Sequence, residues 1–422
     1  MSKLDPIFTG AGNLAYKLVE DMSNSVFITN VELFNYKSIS RCNISLGSLT
    51  YLVGPNGAGK SNFLDAFRFT ADALQTSLDH AIRDRGGIKE VRRRSGGHPT
   101  HFEMRFGFTL QSGQSGIYRF RIAAGRDGAY SVQYEECILH SMDVFGNDSK
   151  YRVENGIVVE TTMPVAPAAT PDRLYLVNAS GLPEFRPVYD AFSRMAFYSL
   201  NPDRIRSLQS PDAGEVLKRD GSNLAGVFAR IEKHSPETKH RIEEYLGKVV
   251  PGIEGIEARE IGPMETLEFR QKVRGSKFPW SFLAANMSDG TLRALGIIAA
   301  LLQNYDPQAK PAPLAGIEEP EIALHPAAAS ILRDVLAEGS LNTQIIVTSH
   351  SPDLLDDIKI LPESIIGVSS RDGETRLSPI GRVAKAAIKN ELYTAGELLR
   401  LNQLIADDEE LGQQNLLEVV EL

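Results

Sequence analysis

Cysteine is nearly missing. Cys42 and Cys137 are the only two in 422 residues, too few for a disulfide framework or a metal cluster, and their scarcity fits a reducing cytosol. Long apolar runs are missing too. No stretch approaches the roughly 20 apolar residues of a spanning helix, and IIAALL (297–302) meets polar residues within a turn or two. The first 25 residues carry one early lysine and no unbroken apolar core, so we expect no signal peptide. Positive charge is short as well, with 45 Lys and Arg against 54 Asp and Glu, a net −9. This balance excludes a general nucleic-acid coat while leaving room for a local basic stripe. Aromatics are 8%, with no evident interleaved aromatic–basic platform for single strands. Sustained heptads and internal repeats are absent, which excludes a long coiled coil or a solenoid. The expectation is a cytoplasmic protein with no membrane partner.

What is present is α/β patterning. VFITNVEL (Val26–Leu33) reads as a strand, SLGSLTYLVG (Ser45–Gly54) ends in a buried one, and helical periodicity follows Ser61. Short β-rich pieces fill His101–His140, and TMPVAPAATPD (Thr162–Asp172) is a Pro/Ala loop. Gly221–Val250 is mostly helical, broken at Ser235–Pro236. From Thr291 a helix, the strand into Glu318, the helix AAASILRDVLAEG and the strand QIIVTSH succeed one another. The expected plan is an N-terminal extension (1–25), a first core part with a β-rich lobe (26–140) and an insertion with a helical lobe (141–285). A second core part (286–404) and an acidic tail (405–422) complete it.

GPNGAGKS, running Gly54, Pro55, Asn56, Gly57, Ala58, Gly59, Lys60, Ser61, fits G-x-x-x-x-G-K-S between a buried strand and a helix. Glycines let the backbone curl so that its N–H groups face phosphate oxygens, and the helix N-terminus adds positive potential. Lys60 reaches the β- and γ-phosphates, and the Ser61 hydroxyl ligates Mg²⁺. This pattern points to a nucleoside triphosphate as ligand.

A phosphate loop needs an acidic strand end opposite it, and LAGIEEPE supplies one. Glu318 takes the metal side, and Glu319 stands where a base would polarise the attacking water. His350, just beyond the strand QIIVTS, is placed to hydrogen-bond a γ-phosphate. Ser288, Asp289 and Gly290 open another helix and form a second anion-facing helix start. One chain does not need two such starts around one γ-phosphate, but a second chain can use one.

Together GPNGAGKS, MSDGT, IEEPEIALHP and TSHSP resemble the ABC-class ATPases of SMC/RecF type. More narrowly they resemble the short bacterial AAA family ATPases often associated with anti-phage defence. The resemblance covers most of Val26–Leu404 and includes FYSLNPDRIRS, RDGSNLAGVFARI and YTAGELLR. It implies a P-loop NTPase with an ABC-type head, in which a mixed sheet core carries a helical lobe and no long coiled coil. It also implies Walker A at Gly54–Ser61, Walker B with the catalytic glutamate at Glu318 and Glu319, and a switch histidine at His350. Ser288–Thr291 would be a signature contacting ATP on a partner subunit, with Ala323–Pro326 near the dimer seam. Glu318 stands where the class usually has Asp, and the signature lacks a second consecutive glycine and a final glutamine. No glutamine of Q-loop type stands out; Asn201 and Gln209 are the candidates near the connector YSLNPDRIR.

The implied activity is slow ATP hydrolysis in an ATP-sandwiched homodimer or higher homo-oligomer. It would act as a sensor or switch controlling an effector protein encoded nearby, in anti-phage defence. The alternative is a RecF-like DNA-binding ATPase in repair or chromosome maintenance. Its DNA contact would be Arg83–Arg94, where six Lys or Arg meet two acids and Arg92, Arg93 and Arg94 are consecutive.

Overall fold

The computed structural model describes residues 27–95, 99–143, 146–303 and 311–404. The expected extension at 1–25 and acidic tail at 405–422 lie outside the described residues.

The N-terminal half contributes eight strands, β1 (Ile28–Tyr36), β2 (Ile39–Ser45), β3 (Leu49–Val53), β4 (His101–Thr109), β5 (Ser115–Ala124), β6 (Tyr130–Leu139), β7 (Ser149–Glu154) and β8 (Ile157–Thr161). β3 pairs only with later strands, in parallel, and the other seven form an antiparallel ribbon. β4 shows why: in HFEMRFGFT the apolar Phe102, Met104, Phe106 and Phe108 alternate with polar residues, so one face is buried and the other meets water. Later segments return to the same sheet as β9 (Ala196–Tyr198), β13 (Leu314–Glu318), β14 (Gln344–Ser349), β15 (Ile365–Arg371) and β16 (Glu374–Pro379). The thirteen strands run β8-β7-β6-β5-β4-β1-β2-β16-β15-β3-β14-β13-β9. From β15 through β3, β14 and β13 to β9 all pairing is parallel. β14 is buried on both faces, as a strand covered by helices must be. The strand pair β6–β7 crosses the expected boundary at 140/141, because Cys137 and Tyr151 pair in register and bury their side chains on one face.

Two cores lie on the two sides of the sheet. On one side helix α1 (Lys60–Gln75) sets Phe67 against Phe106 and Phe69 against Phe102 and Phe120, with Phe63 edge to face on Phe67. Each fully buried ring contributes about 1.5–3 kcal/mol. On the other side lie α2 (Leu224–His234), α3 (Pro236–Val249), α4 (Asp289–Leu302) and α5 (Ala329–Gly339). A separate three-stranded sheet, β10 (Ile253–Ile261), β11 (Met264–Gln271) and β12 (Trp280–Leu283), packs Ile256, Leu267 and Phe269 into that second core. Among the described residues α1, at 16 residues, is the longest helix, so no long coiled coil is present. None of the described helices is long and apolar enough to cross a membrane.

Candidate functional site

The parallel register brings three strand ends together. Val53 at the end of β3 pairs with Ser349 at the end of β14, and Thr348 pairs with Glu318 at the end of β13. Whatever follows these strands therefore meets at one edge, the usual ligand position of a parallel sheet.

After β3 the chain curls through Gly54–Gly59 into α1. Two glycines there are dictated by space. A Cβ on Gly54 would stand 2.0 Å from the Val368 carbonyl oxygen, and one on Gly59, at φ +103°, 1.9 Å from Thr375 Oγ1. The crowding at Gly59 belongs to a relay that pins the loop. Asn62 donates to Ser38 Oγ (2.6 Å), Ser38 and Thr375 share a 2.7 Å bond, and Thr375 donates to the Ala58 carbonyl (2.9 Å). Neither Ser38 nor Thr375 belongs to a motif; only the adjacency of β2 and β16 brings them to the loop.

Lys60 folds back on its own loop, donating to the carbonyls of Gly54 (2.7 Å) and Pro55 (3.1 Å). Its Nζ lies 3.9 Å from Glu319 Oε1. Burial pushes the ammonium pKa down, while Glu319 and Glu321 oppose that shift.

Glu319 is held in a backbone conformation that side chains avoid, at φ +43°. The turn is secured by its N–H, which lies 3.0 Å from the Thr348 carbonyl and 3.2 Å from Thr348 Oγ1. The consequence is positional: the carboxylate sits between Lys60 and His350, whose Nδ1 is 3.2 Å away. Glu318 points elsewhere, toward a cavity of about 140 Å³ that it lines with Ser61, Asn62 and Arg219. Arg219 bonds its carboxylate at 3.1 Å.

Sequence reasoning passed over three residues. Glu321 accepts from Ser349 Oγ (2.6 Å) and lies 3.4 Å from the His350 N–H, so it ties the histidine-bearing strand end to the acidic turn. Its other oxygen is buried without a partner among the described residues. Arg293, in α4, is half-buried; burial pushes its pKa down and the charges of Glu319 and Glu321 oppose this. Arg219 is the third. No motif spacing marks Arg293 or Arg219, and Glu321, although it stands in the acidic run itself, has its partners on the neighbouring strand end.

Ser288 caps α4, accepting from the Thr291 N–H at 3.2 Å, and both Ser288 and Asp289 are exposed. Arg206 reaches the Met287 carbonyl at 3.3 Å and pairs with Asp289. A Cβ on Gly290 would meet the Ala323 carbonyl at 2.6 Å, so this helix start abuts the turn beyond Glu319. The Q-loop candidates are spent on their own backbone. Gln209 is buried, donating to the Arg204, Ile205 and Gly221 carbonyls and accepting from the Ala225 N–H. Asn201 caps the helix Pro202–Arg206.

The arginines of 83–94 are also engaged. Arg83 pairs with Asp79, Arg85 with Asp65 and Asp72, Arg93 with Glu374 and Arg94 with Glu90, and Arg92 donates to the Pro99 carbonyl. The basic run therefore offers less free charge than its composition implies; Gly96 and Gly97 lie outside the described residues.

A family profile described as "AAA domain, putative AbiEii toxin, Type IV TA system" matches residues 49–141 and 167–356. A curated protein named OLD nuclease, from Thermus scotoductus, is 23% identical over 378 residues, or 86% of this chain. The chain spans 66% of that relative's length. Among solved structures, an Smc head bound to the C-winged-helix domain of ScpA superposes with a TM-score of 0.54 at 18% identity, covering 83% of this chain and 97% of that one. An Smc head with an extended coiled coil, bound to the C-terminal domain of ScpA from Pyrococcus furiosus, gives 0.53 at 14% identity, with 87% and 99% covered. At such identities the likeness establishes the fold alone, that of an Smc head.

Proposed function

The chain belongs to the AAA-domain family whose profile it matches, and from that premise we propose an ATP-driven switch. In this reading it binds and slowly hydrolyses ATP, closes into an ATP-sandwiched homodimer and controls a separate effector protein in anti-phage defence. The observation that carries it is the position of the Glu319 carboxylate, 3.9 Å from Lys60 Nζ and 3.2 Å from His350 Nδ1.

The residues fit a nucleotide and its metal. Gly57 and Gly59 adopt the positive φ that a tight phosphate-binding turn requires, and the carbonyls that Lys60 hydrogen-bonds are ones a phosphate can replace. Ser61 and Glu318 line one cavity and would hold Mg²⁺. When bound, Mg²⁺ supplies charge neutralisation on the phosphate oxygens. Glu319 takes the proton of the attacking water, with His350 fixing the orientation of its carboxylate. Lys60 leaves Gly54 and Pro55 to meet the growing negative charge. Ser288, exposed at the head of α4, serves the nucleotide of the second subunit. The contacts from Ser288 across the seam to the γ-phosphate exist only in the closed pair, so hydrolysis returns the dimer to its open state.

The test is light scattering of Glu319→Gln with and without Mg-ATP, alongside the product of the adjacent gene. A stable doubling of mass on ATP, with the neighbour co-eluting and turnover reduced at least about 100-fold, is expected. A mass that ignores ATP overturns the sandwich, and unchanged turnover removes Glu319 as base. A second reading, a RecF-like DNA-binding ATPase in repair or chromosome maintenance, draws support from the relative named as a nuclease. In that reading Arg83–Arg94 is the DNA contact, and its arginines would exchange their present partners for phosphates.

A further inference from the structure

Between Glu268 and Asp289 the chain contains no acidic residue, although the whole protein carries net charge −9. The centre of that stretch, KVRGSKFPW, joins β11 to β12 and stands out in solvent. Phe278 is 76% exposed and Trp280 58% exposed. Lys272, Arg274 and Lys277 are exposed, and among the described residues none of their side chains has a hydrogen bond or ion pair. Elsewhere on this surface cations are mostly matched, as the arginines of 83–94 illustrate.

The loop is also built to hold its shape. Val273–Ser276 closes a turn through the Ser276 N–H to the Val273 carbonyl (3.0 Å), with Gly275 at φ +87°. The Ser276 hydroxyl accepts from the Trp280 indole N–H at 3.2 Å and donates to the Phe278 carbonyl at 2.6 Å. These bonds anchor the indole edge of Trp280 and the backbone of Phe278, and both side chains remain largely in solvent.

We propose that this loop binds single-stranded nucleic acid, with Phe278 and Trp280 stacking on unpaired bases and Lys272, Arg274 and Lys277 on the phosphates. Each part of the chemistry selects that ligand. Three unmatched cations within six residues call for a polyanion. Two exposed aromatic faces gain from a partner with π surfaces, which a single strand offers and a duplex keeps stacked inside. An anionic membrane would satisfy the cations but offers no base faces for the two exposed rings to stack on. The sequence hid this site because its aromatics are few and its charges are interspersed rather than consecutive. β12 runs from this loop to Leu283, five residues before Ser288.

Trp280 is the only tryptophan, so its emission reports on the loop directly. The experiment is titration of the full chain with an oligo(dT) of about 20 nucleotides, followed by indole fluorescence and, across a salt series, by anisotropy of labelled oligonucleotide. We expect quenching on binding, an affinity loss of roughly 5- to 150-fold in Phe278→Ala, and a log–log salt slope of about −2. That slope should fall toward zero in the Lys272→Glu/Arg274→Glu/Lys277→Glu variant. ATP binding in these surface variants serves as the control for folding. Emission unmoved by saturating oligonucleotide overturns the proposal. So does quenching by phosphatidylserine vesicles in place of the oligonucleotide, equal affinity for a duplex without quenching, or a salt slope indifferent to the charge reversals.

Discussion

Lys60 shows how a single side chain reports the state of the site. With its ammonium on the Gly54 and Pro55 carbonyls, it is desolvated but not free, and a triphosphate offers it a stronger, charged acceptor. Lys60→Ala should weaken ATP binding on the order of 100-fold while the fold persists, measured by calorimetric titration; retained affinity would overturn the phosphate-loop assignment. Glu321 tests orientation rather than binding. Glu321→Gln weakens the acceptor for Ser349 and His350 but leaves Lys60, Ser61 and Glu319 in place. Turnover should fall roughly tenfold, the scale of other orienting partners, with ATP affinity unchanged. A loss of affinity in step with turnover would mean that Glu321 supports the pocket as a whole. The sequence made Lys60, Glu318, Glu319 and His350 legible because each sits in a short motif. Arg293, Ser38 and Thr375 were not, and Glu321 was visible in the acidic run but had no role, since their significance lies in which element they face.

At the scale of elements, α1 is fastened to the β1–β2 hairpin through Asp65. Burial alone would raise its carboxyl pKa, but Arg85, with help from Lys37 and Arg68, outweighs this and holds it well below the usual carboxylate range. Tyr36 bonds the same carboxylate at 2.8 Å. A carboxyl depressed in the folded state stabilises the fold at pH values above its unfolded pKa, near 3.8. That contribution is lost as pH falls from there toward the folded value. Asp65→Asn should therefore cost about 3 kcal/mol at neutral pH, and its urea midpoint should depend less on pH below about 4 than the parent's. Parallel acid limbs would show that the folded and unfolded carboxyls titrate alike. The elements themselves were largely readable from sequence: α1, the broken pair α2–α3, and β13 and β14 follow their patterns closely. β10–β12 were not read, because their alternation is broken by charged residues on a half-exposed face.

For the whole molecule the question is whether Ser288 works within one chain or between two. It is exposed, and its helix start abuts the turn at Ala323 rather than being closed off by another element. Ser288→Arg should abolish ATP-dependent dimerisation while leaving ATP affinity within about threefold, read by sedimentation and titration on one preparation. Variant chains that still pair on ATP would place the signature's role inside the monomer. The sequence by itself determined the phosphate loop, the acidic strand end, the strand-end histidine and the family, because each depends on residues adjacent along the chain. Only the tertiary structure decided that β16 locks the loop through Thr375, that Arg219 holds Glu318 and that Glu319 lies between Lys60 and His350. It also decided that Arg92, Arg93 and Arg94 are consumed in contacts while Lys272, Arg274 and Lys277 stand free. The physical reason is the same throughout: a charge or hydroxyl acquires its role from the groups it meets, and sheet order rather than sequence order sets those meetings.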